Sequence, residues 1–482
     1  MNSRRVFHVV SFVVIVIGLC MAAAVGVAHH MGDPHEVVRG LAVACAASVL
    51  AGVLLWAITR GPVDLSRRDG FGIVTFGWLF AALFGALPYI LTGVIPEFSG
   101  AFFETMSGFT TTGASILTDL ETLPRSLLFW RALTQWLGGM GVLVLVVAIL
   151  PFLGVSGMQI YQAEMPGPSK ERLTPRIART AELLWGIYLL LSVLLALLLR
   201  WSGMTWYDAV CHTFTTLSTG GFSTLTDSVA GFQSARIEII LIVFMFLAGA
   251  NYTLHFRALT GRPLIYFRDP ECRFYLLVWL GGSLFLAFNI HGTHFETLPD
   301  ALRAGFFQAT SILTTTGFAT ADFDAWPTAS RLLLLAFMVT GASAGSTAGG
   351  VKLIRIYVLV KRSILDIRAH MLPHAVLRLK VGKKPLDPSI AANISTFFII
   401  FLLLGGIATL LMSFFMPDPI SAGSAVLATL GNIGPGLGVV GPTENYAFVA
   451  PAGKMILSLC MLLGRLELYT VLVLFLPDFW KK

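Results

Sequence analysis

Four short stretches of this chain set small hydroxyl or amide residues beside a glycine: Thr110-Thr111-Thr112-Gly113, Leu217-Ser218-Thr219-Gly220, Thr314-Thr315-Thr316-Gly317 and Leu430-Gly431-Asn432-Ile433-Gly434. Each comes just after a short apolar segment and just before a long one. Backbone that leaves regular helix inside a bilayer is tolerated only where it is buried in protein or lines water. Four such turns at similar depth would therefore line one shared polar passage. Their chemistry is that of carbonyl oxygens and hydroxyls, which can replace the water shell of an ion. A single copy is ordinary turn chemistry. Four copies in register with paired apolar runs point to an ion pore.

The elements that must hold these turns are legible in the hydropathy. Ten apolar runs, near residues 6–28, 38–60, 72–94, 128–152, 180–200, 237–256, 274–292, 330–360, 391–415 and 453–477, are each long enough to cross a hydrocarbon core of ~30 Å. The stretches just before the glycines, near 99–111, 205–217, 301–314 and 419–431, run for about a dozen residues and read as re-entrant half-helices. Entering from outside, such a half-helix aims its carbonyl end at the bilayer centre, where the partial negative charge favours a cation. The predicted fold class is thus an all-α integral membrane protein. Four units of helix, half-helix and helix stand in a pseudo-four-fold arrangement around one pore, with an added N-terminal helix pair. The expected divisions are 1–70 for that pair, then 71–155, 175–260, 270–365 and 388–482 for the four units.

Composition agrees with this reading. The 482 residues are 56% hydrophobic and only 12% charged, about half the charged share usual in soluble domains. Arg4 and Arg5 before an apolar run raise the question of a signal peptide, but Val6 to Ala28 is longer than a usual signal core and fits a retained anchor. The net charge of +7 resides in loops and sets orientation rather than marking a nucleic-acid binder. Arg4, Arg5, Arg67, Arg68, Lys170, Arg172, Arg176, Arg179, Arg257, Arg262, Arg268, Lys361, Arg362, Arg368, Arg378, Lys380, Lys383, Lys384, Lys481 and Lys482 fall on one side, predicted cytoplasmic with both termini. Arg125, Arg131, Arg200 and Arg236 fall near the other, together with Asp119, Glu121, Asp227, Asp322, Asp324 and Glu444. An acidic outer mouth would concentrate cations. The five scattered cysteines suggest neither a disulfide framework nor a metal knuckle, and His370 and His374, split by Pro373, read as loop residues. The glycine-rich run 341–350 lacks the strand and the Gly-Lys-Ser/Thr ending of a nucleotide loop, and no catalytic cluster suggests an enzyme.

At Thr111-Thr112-Gly113-Ala114, Ser218-Thr219-Gly220-Gly221-Phe222-Ser223, Thr315-Thr316-Gly317-Phe318-Ala319-Thr320 and Asn432-Ile433-Gly434-Pro435-Gly436 the chain resembles the membrane subunit of Trk-type potassium uptake systems, in the Trk/Ktr/HKT superfamily. Gly341 to Gly350 and Gly464-Arg465-Leu466-Glu467 add to the likeness, which covers essentially the whole chain. The resemblance implies potassium as the transported ion and a homodimer in the bacterial inner membrane. It also implies a cytoplasmic nucleotide-binding regulatory subunit, TrkA-like, as partner, with no nucleotide on this chain itself. The filter residues it implies are Thr111, Thr112, Gly113, Ser218, Thr219, Gly220, Thr315, Thr316, Gly317, Asn432, Ile433 and Gly434. Hydroxyls stand beside the glycine in three of these turns, on Thr112, Thr219 and Thr316, and not in the fourth. In the family, serine in place of the first glycine goes with sodium permeation, so Gly113 favours potassium. The main expectation is channel-like uptake; symport coupled to protons or sodium is the alternative, and no series of intramembrane carboxylates or histidines argues for it.

A gate is expected beneath the filter. Gly341-Ala342-Ser343-Ala344-Gly345-Ser346-Thr347-Ala348-Gly349-Gly350 carries four glycines and no bulky residue, which favours a helix break over close helix packing. By resemblance this is the intramembrane loop that obstructs the inner pore. An arginine inside the last span costs at least ~2.5 kcal/mol unless it meets water or a partner. Arg465 is therefore expected to face the pore below the filter, bonded to that loop. Glu467, two residues on, lies on another helix face and is not its evident partner. Lys352 and Arg355 read either as the inner end of the loop or as snorkelling cations. Asn251 and Tyr252 are expected to bond between helices, and Glu104 to stabilise the positive end of the first half-helix.

Overall fold

Long apolar stretches become helices here, and several of them start at a capping side chain. The computed structural model describes residues 1–61, 65–141, 177–372, 374–375, 377–382 and 384–480. Residues 142–152 of the fourth expected run, the loop cations Lys170, Arg172, Arg176, Lys383, Lys481 and Lys482, and Pro373 lie outside the described residues. Ser3–Met31 and His35–Ile58 form an antiparallel pair turned at left-handed Gly32, whose N–H caps Ala28 O. The first helix is sandwiched between the second and Arg67–Gly85, burying Val6, Val10, Val13, Ile17 and Met21. Ser66 and Asp69 form a reciprocal capping box that starts Arg67–Gly85.

Three further long helices, Ile177–Trp201, Pro270–Ile290 and Pro388–Met412, each precede one of the short ones. Leu190, Val193, Leu197, Leu277, Leu402 and Ile407 leave their apolar faces exposed, as a lipid-facing surface requires. Between long helices sit the four short ones: Phe98–Phe109, Trp206–Leu217, Leu298–Leu313 and Pro419–Leu430, within a few residues of expectation. Three have an N-cap that fixes where they begin. Thr205 accepts from Asp208 N, Thr297 from Asp300 N, and Asp418 from the N–H groups of Ile420 and Ser421. The bonds from the Ser421 hydroxyl and N–H hold the Asp418 carboxyl below the usual carboxylate range.

The helices that follow the turns correct the sequence reading. Straight spans were expected over 237–256 and 453–477; instead Ala235–Ala248 and Tyr252–Leu259 meet at 98°, and Pro451–Arg465 and Tyr469–Phe475 at 110°. Thr328–Thr340 likewise stops at the expected break, and Arg125–Gly139 ends just before left-handed Gly141. The physical reason is close packing under the turns. A Cβ on Gly138 would strike Phe109 O, and one on Gly464 would strike Leu430 O. These helices are thus pressed against the carbonyl ends of the half-helices, and glycine is what allows the approach. Ten spans were expected; among the described residues six helices are long and apolar enough to cross a membrane, or eight if each bent pair is one span.

Two smaller differences lie on the basic side. His370, expected in a loop, belongs to the last turn of Leu353–Met371. Lys380–Val381 and Lys384–Pro385 pair as a short antiparallel ribbon.

Candidate functional site

All four half-helices end the same way. Their C-caps are Thr110, Ser218, Thr314 and Gly431. The next residues, Thr111, Thr219, Thr315 and Asn432, are left-handed, with φ of 55°, 55°, 57° and 54°. That conformation is a true outlier for threonine, and here it occurs at the same step three times. The residue after each donates its N–H back into its own half-helix: Thr112 to Ser107 O, Gly220 to Thr215 O, Thr316 to Ser311 O and Ile433 to Ala428 O, at 2.8–2.9 Å. Third after the cap comes a left-handed glycine, Gly113 at 83°, Gly221 at 77°, Gly317 at 83° and Gly434 at 102°.

The second turn therefore runs one residue later than residue type suggests. Thr219-Gly220-Gly221, and not Ser218-Thr219-Gly220, superposes in backbone role on Thr111-Thr112-Gly113. Ser218 is the helix cap, its hydroxyl donating to Thr215 O at 3.2 Å. Gly220 takes the place of Thr112, Thr316 and Ile433, so hydroxyls stand beside the glycine in two turns rather than three. Those two are held sideways: Thr110 and Thr112 share a hydroxyl hydrogen bond of 2.8 Å, Thr314 and Thr316 one of 2.7 Å.

The turns touch in a cycle. A Cβ added to Gly113 would meet Gly220 O; on Gly221, Thr316 O; on Gly317, Ile433 O; on Gly434, Thr112 O. Each glycine thus lies against the carbonyl of the next turn, and the fourth returns to the first. Asn432 bridges the same seam, donating to Thr112 Oγ1 at 3.0 Å and to Met461 O at 2.9 Å. A cavity of about 140 Å³ opens on one side of the ring, lined by Gly113, Gly221, Gly317 and Gly434 together with Arg131, Glu444 and Tyr446.

Beneath the ring lies the run 341–350, all of it irregular. Gly341, Gly345 and Gly350 are left-handed, and Ala342, Ser343, Thr347, Ala348 and Gly349 are buried. Ser343 N donates to Gly249 O at 3.1 Å and Ala344 N to Glu271 Oε1 at 2.5 Å. Gly345 O accepts from Tyr252 N, and the Ser346 hydroxyl closes on Ser343 O. Three bonds reach the turns and the half-helix ends above them: Thr347 Oγ1 donates to Leu217 O at 3.0 Å and accepts from Thr219 Oγ1 at 3.4 Å, and Gly349 N donates to Thr315 Oγ1 at 2.7 Å. Arg465 then ties the run to a neighbouring helix end. Its guanidinium donates to Thr347 O at 2.7 Å, Gly138 O at 2.6 Å and Gly139 O at 2.8 Å. A second cavity, about 90 Å³, is lined by Gly139, Gly345, Gly349, Lys352, Arg465 and Glu467 among others.

Against the family models, residues 35–482 match the one described as TrkH, a cation transport protein. The chain belongs to this family of cation transport proteins. It is 42% identical, over the full length of both chains, to the Trk system potassium uptake protein TrkH of Salmonella typhimurium. The TrkH proteins of Escherichia coli K12 and Halomonas elongata are each 40% identical, again over full length. Its structure is also similar to the crystal structure of the potassium transporter TrkH from Vibrio parahaemolyticus, with a TM-score of 0.89 at 36% identity and full coverage of both chains.

Within this TrkH-family chain several side chains play other parts than expected. Glu104 is not at a helix start but midway along Phe98–Phe109, fully buried and paired with Arg131 at 2.7 Å. It also accepts from Ile116 N at 2.9 Å and Ser115 Oγ at 3.0 Å, bracing the strand of chain that leaves the first turn. Arg131 continues the brace to Ser223 O after the second turn. Asn251 caps Tyr252–Leu259 instead of bonding to another helix. Lys352 does not snorkel: it is buried, and its ammonium donates to Ala348 O. Arg355 pairs with Glu467 at 2.7 Å and lies over the Phe397 ring. Glu467 is thus engaged, though not by Arg465. Gln135 was missed altogether; an amide within an apolar run, three residues before Gly138-Gly139, was the available signal.

Proposed function

We propose that this chain takes up potassium across the bacterial inner membrane through a selectivity filter made of the four turns. The filter comprises Thr111-Thr112-Gly113, Thr219-Gly220-Gly221, Thr315-Thr316-Gly317 and Asn432-Ile433-Gly434, the second set by backbone role. The cyclic contact between turns is the observation that carries this reading. It supports a pseudo-four-fold arrangement of units 71–155, 175–260, 270–365 and 388–482 around one axis, with the N-terminal pair, within 1–70, at its edge. The names of the relatives, potassium uptake proteins of the Trk system, support potassium as cargo.

The filter works by substitution of oxygen dipoles for hydration. Half-helix carbonyl ends add a cation-favouring field with no carboxylate in the ring. The glycine-lined cavity is the outer mouth, the basic loops and both termini are cytoplasmic, and residues 341–350 with Arg465 form the gate on the inner side. The bonds from Gly349 to Thr315 and from Thr347 to Leu217 support that assignment, because they hold the run against the underside of the turns. A homodimer and a cytoplasmic nucleotide-binding subunit of the TrkA type complete the assembly, the partner acting through the basic loops.

The test is rubidium and potassium flux into liposomes holding the purified protein, with and without its partner. Flux down the gradient that exceeds sodium flux is expected. No flux under any condition refutes the reading, and uphill accumulation driven by a proton or sodium gradient would favour symport.

A further inference from the structure

The four turns are braced in different ways. In the first and third, a threonine cap bonds the threonine two residues on, Thr110 to Thr112 and Thr314 to Thr316. In the fourth, Asn432 supplies its own amide bridge to Thr112 Oγ1 and Met461 O. The second turn has neither device, because Gly220 has no side chain to meet Ser218. Its brace comes from outside. Gln135, fully buried in Arg125–Gly139, donates Nε2 to Gly220 O at 2.7 Å and accepts from Phe222 N at Oε1, 3.1 Å.

The geometry admits one orientation of that amide, since a carbonyl needs the NH₂ group and an N–H needs the oxygen. The exchange of volume is equally specific. The position a Cβ would take on Gly220 is already filled by the Gln135 amide group, with Nε2 2.7 Å away. Glycine at 220 and glutamine at 135 are therefore one fitted pair, standing where the first and third turns place a threonine. The mount is rigid: Trp136, the next residue, packs against Phe214, Trp185 and Tyr188 and donates to Ser192 Oγ at 3.1 Å.

We propose that Gln135 is a positioning residue for ion discrimination. It fixes the Gly220 carbonyl and the exit of the second turn, and so sets one wall of the filter. This rests on the filter reading above. A selective site requires its carbonyls to be held where the preferred ion needs them. Loss of the amide releases one of four walls.

The experiment compares sodium and rubidium flux in liposomes for the wild type, Gln135→Ala and the double variant Gln135→Ala with Gly220→Thr. Removing one buried hydrogen-bond brace is expected to raise the sodium-to-rubidium flux ratio about three- to tenfold. The double variant rebuilds the hydroxyl pair of the first and third turns across Ser218 and residue 220, and its ratio returns toward the wild type. An unchanged ratio in Gln135→Ala overturns the proposal. Should that variant carry no measurable flux, the double variant decides: recovered, rubidium-preferring flux supports the proposal, and continued loss overturns it. A wild type without rubidium flux would instead defeat the filter reading itself, which keeps the two failures apart.

Discussion

Alanine at Gly221 and alanine at Gly220 should behave very differently, although both alter adjacent glycines of one turn. Gly221 is left-handed at φ 77°, where a side chain costs roughly 1–2 kcal/mol through the Cβ contact with its own backbone. The added Cβ would also strike Thr316 O. That carbonyl cannot yield freely, because Thr316 N is bonded to Ser311 O at 2.8 Å and its hydroxyl to Thr314. Gly220 is not left-handed, and its nearest obstacles are the amide atoms of Gln135, which are hydrogen-bonded but belong to a side chain that can swing aside where a backbone carbonyl cannot. Strain alone at 221 approaches the ~1.4 kcal/mol that makes a tenfold change, before the carbonyl collision is added. Gly221→Ala should therefore leave less than about a tenth of wild-type rubidium flux per protein in liposomes. Gly220→Ala should retain much of the flux while shifting the sodium-to-rubidium ratio. Should Gly220→Ala prove the more damaging of the two, the backbone register assigned to the second turn is wrong.

Gly113→Ser should raise relative sodium permeation, because its Cβ displaces Gly220 O; an unchanged flux ratio speaks against the first turn as a filter wall. Arg465→Ala removes a charge-assisted bond to Thr347 O of the kind that contributes ~1.5–3 kcal/mol, so rubidium flux measured without the partner should rise several-fold, and flux at the wild-type level would return Arg465 to a packing role. Arg355→Ala strands the Glu467 carboxylate, which is only 24% exposed, and should lower thermal stability toward the lower end of the ~3–5 kcal/mol seen for broken buried pairs. Arg355→Ala with Glu467→Ala should recover part of that loss; additive losses in the melting experiment would show that the pair is not coupled.

The parts of this fold readable from sequence are those that composition and spacing encode directly. Short apolar segments and a glycine-rich break are local signals, and both stand where residue type placed them. The register of the second turn was not readable that way. Ser218-Thr219-Gly220 is the better match in residue type, yet the backbone counts from the helix cap, and Ser218 is that cap. Hydropathy was equally blind to the breaks after Ala248 and Arg465, because an apolar window cannot report a bend. Gly249 pressed against Tyr275 and Thr314 marks the first break and Gly464 pressed against Leu430 O the second, and these contacts are long-range. Glu104 was misread for a related reason: its partner Arg131 lies on a separate helix, and only packing brings them together.

On the proposed reading, one set of oxygens joins the four turns to the run 341–350. Gly138 O and Gly139 O are the last carbonyls of Arg125–Gly139, and a helix end of this kind attracts cations. The Arg465 guanidinium takes both, along with Thr347 O, so a fixed cation that lines the second cavity holds three carbonyl oxygens at its edge. On the pore reading, permeant ion and gate then compete for the same dipoles, and opening requires the arginine to leave them. Its release is tied to the helix that follows the gate run. Leu353–Met371 carries Arg355, whose partner Glu467 lies in the bend just beyond Arg465, and the run's last residues are held by the bond from Lys352 to Ala348 O. A pull on the C-terminal end of Leu353–Met371 would therefore act at both places together, drawing on residues 341–350 at one end and on the Arg465 segment at the other.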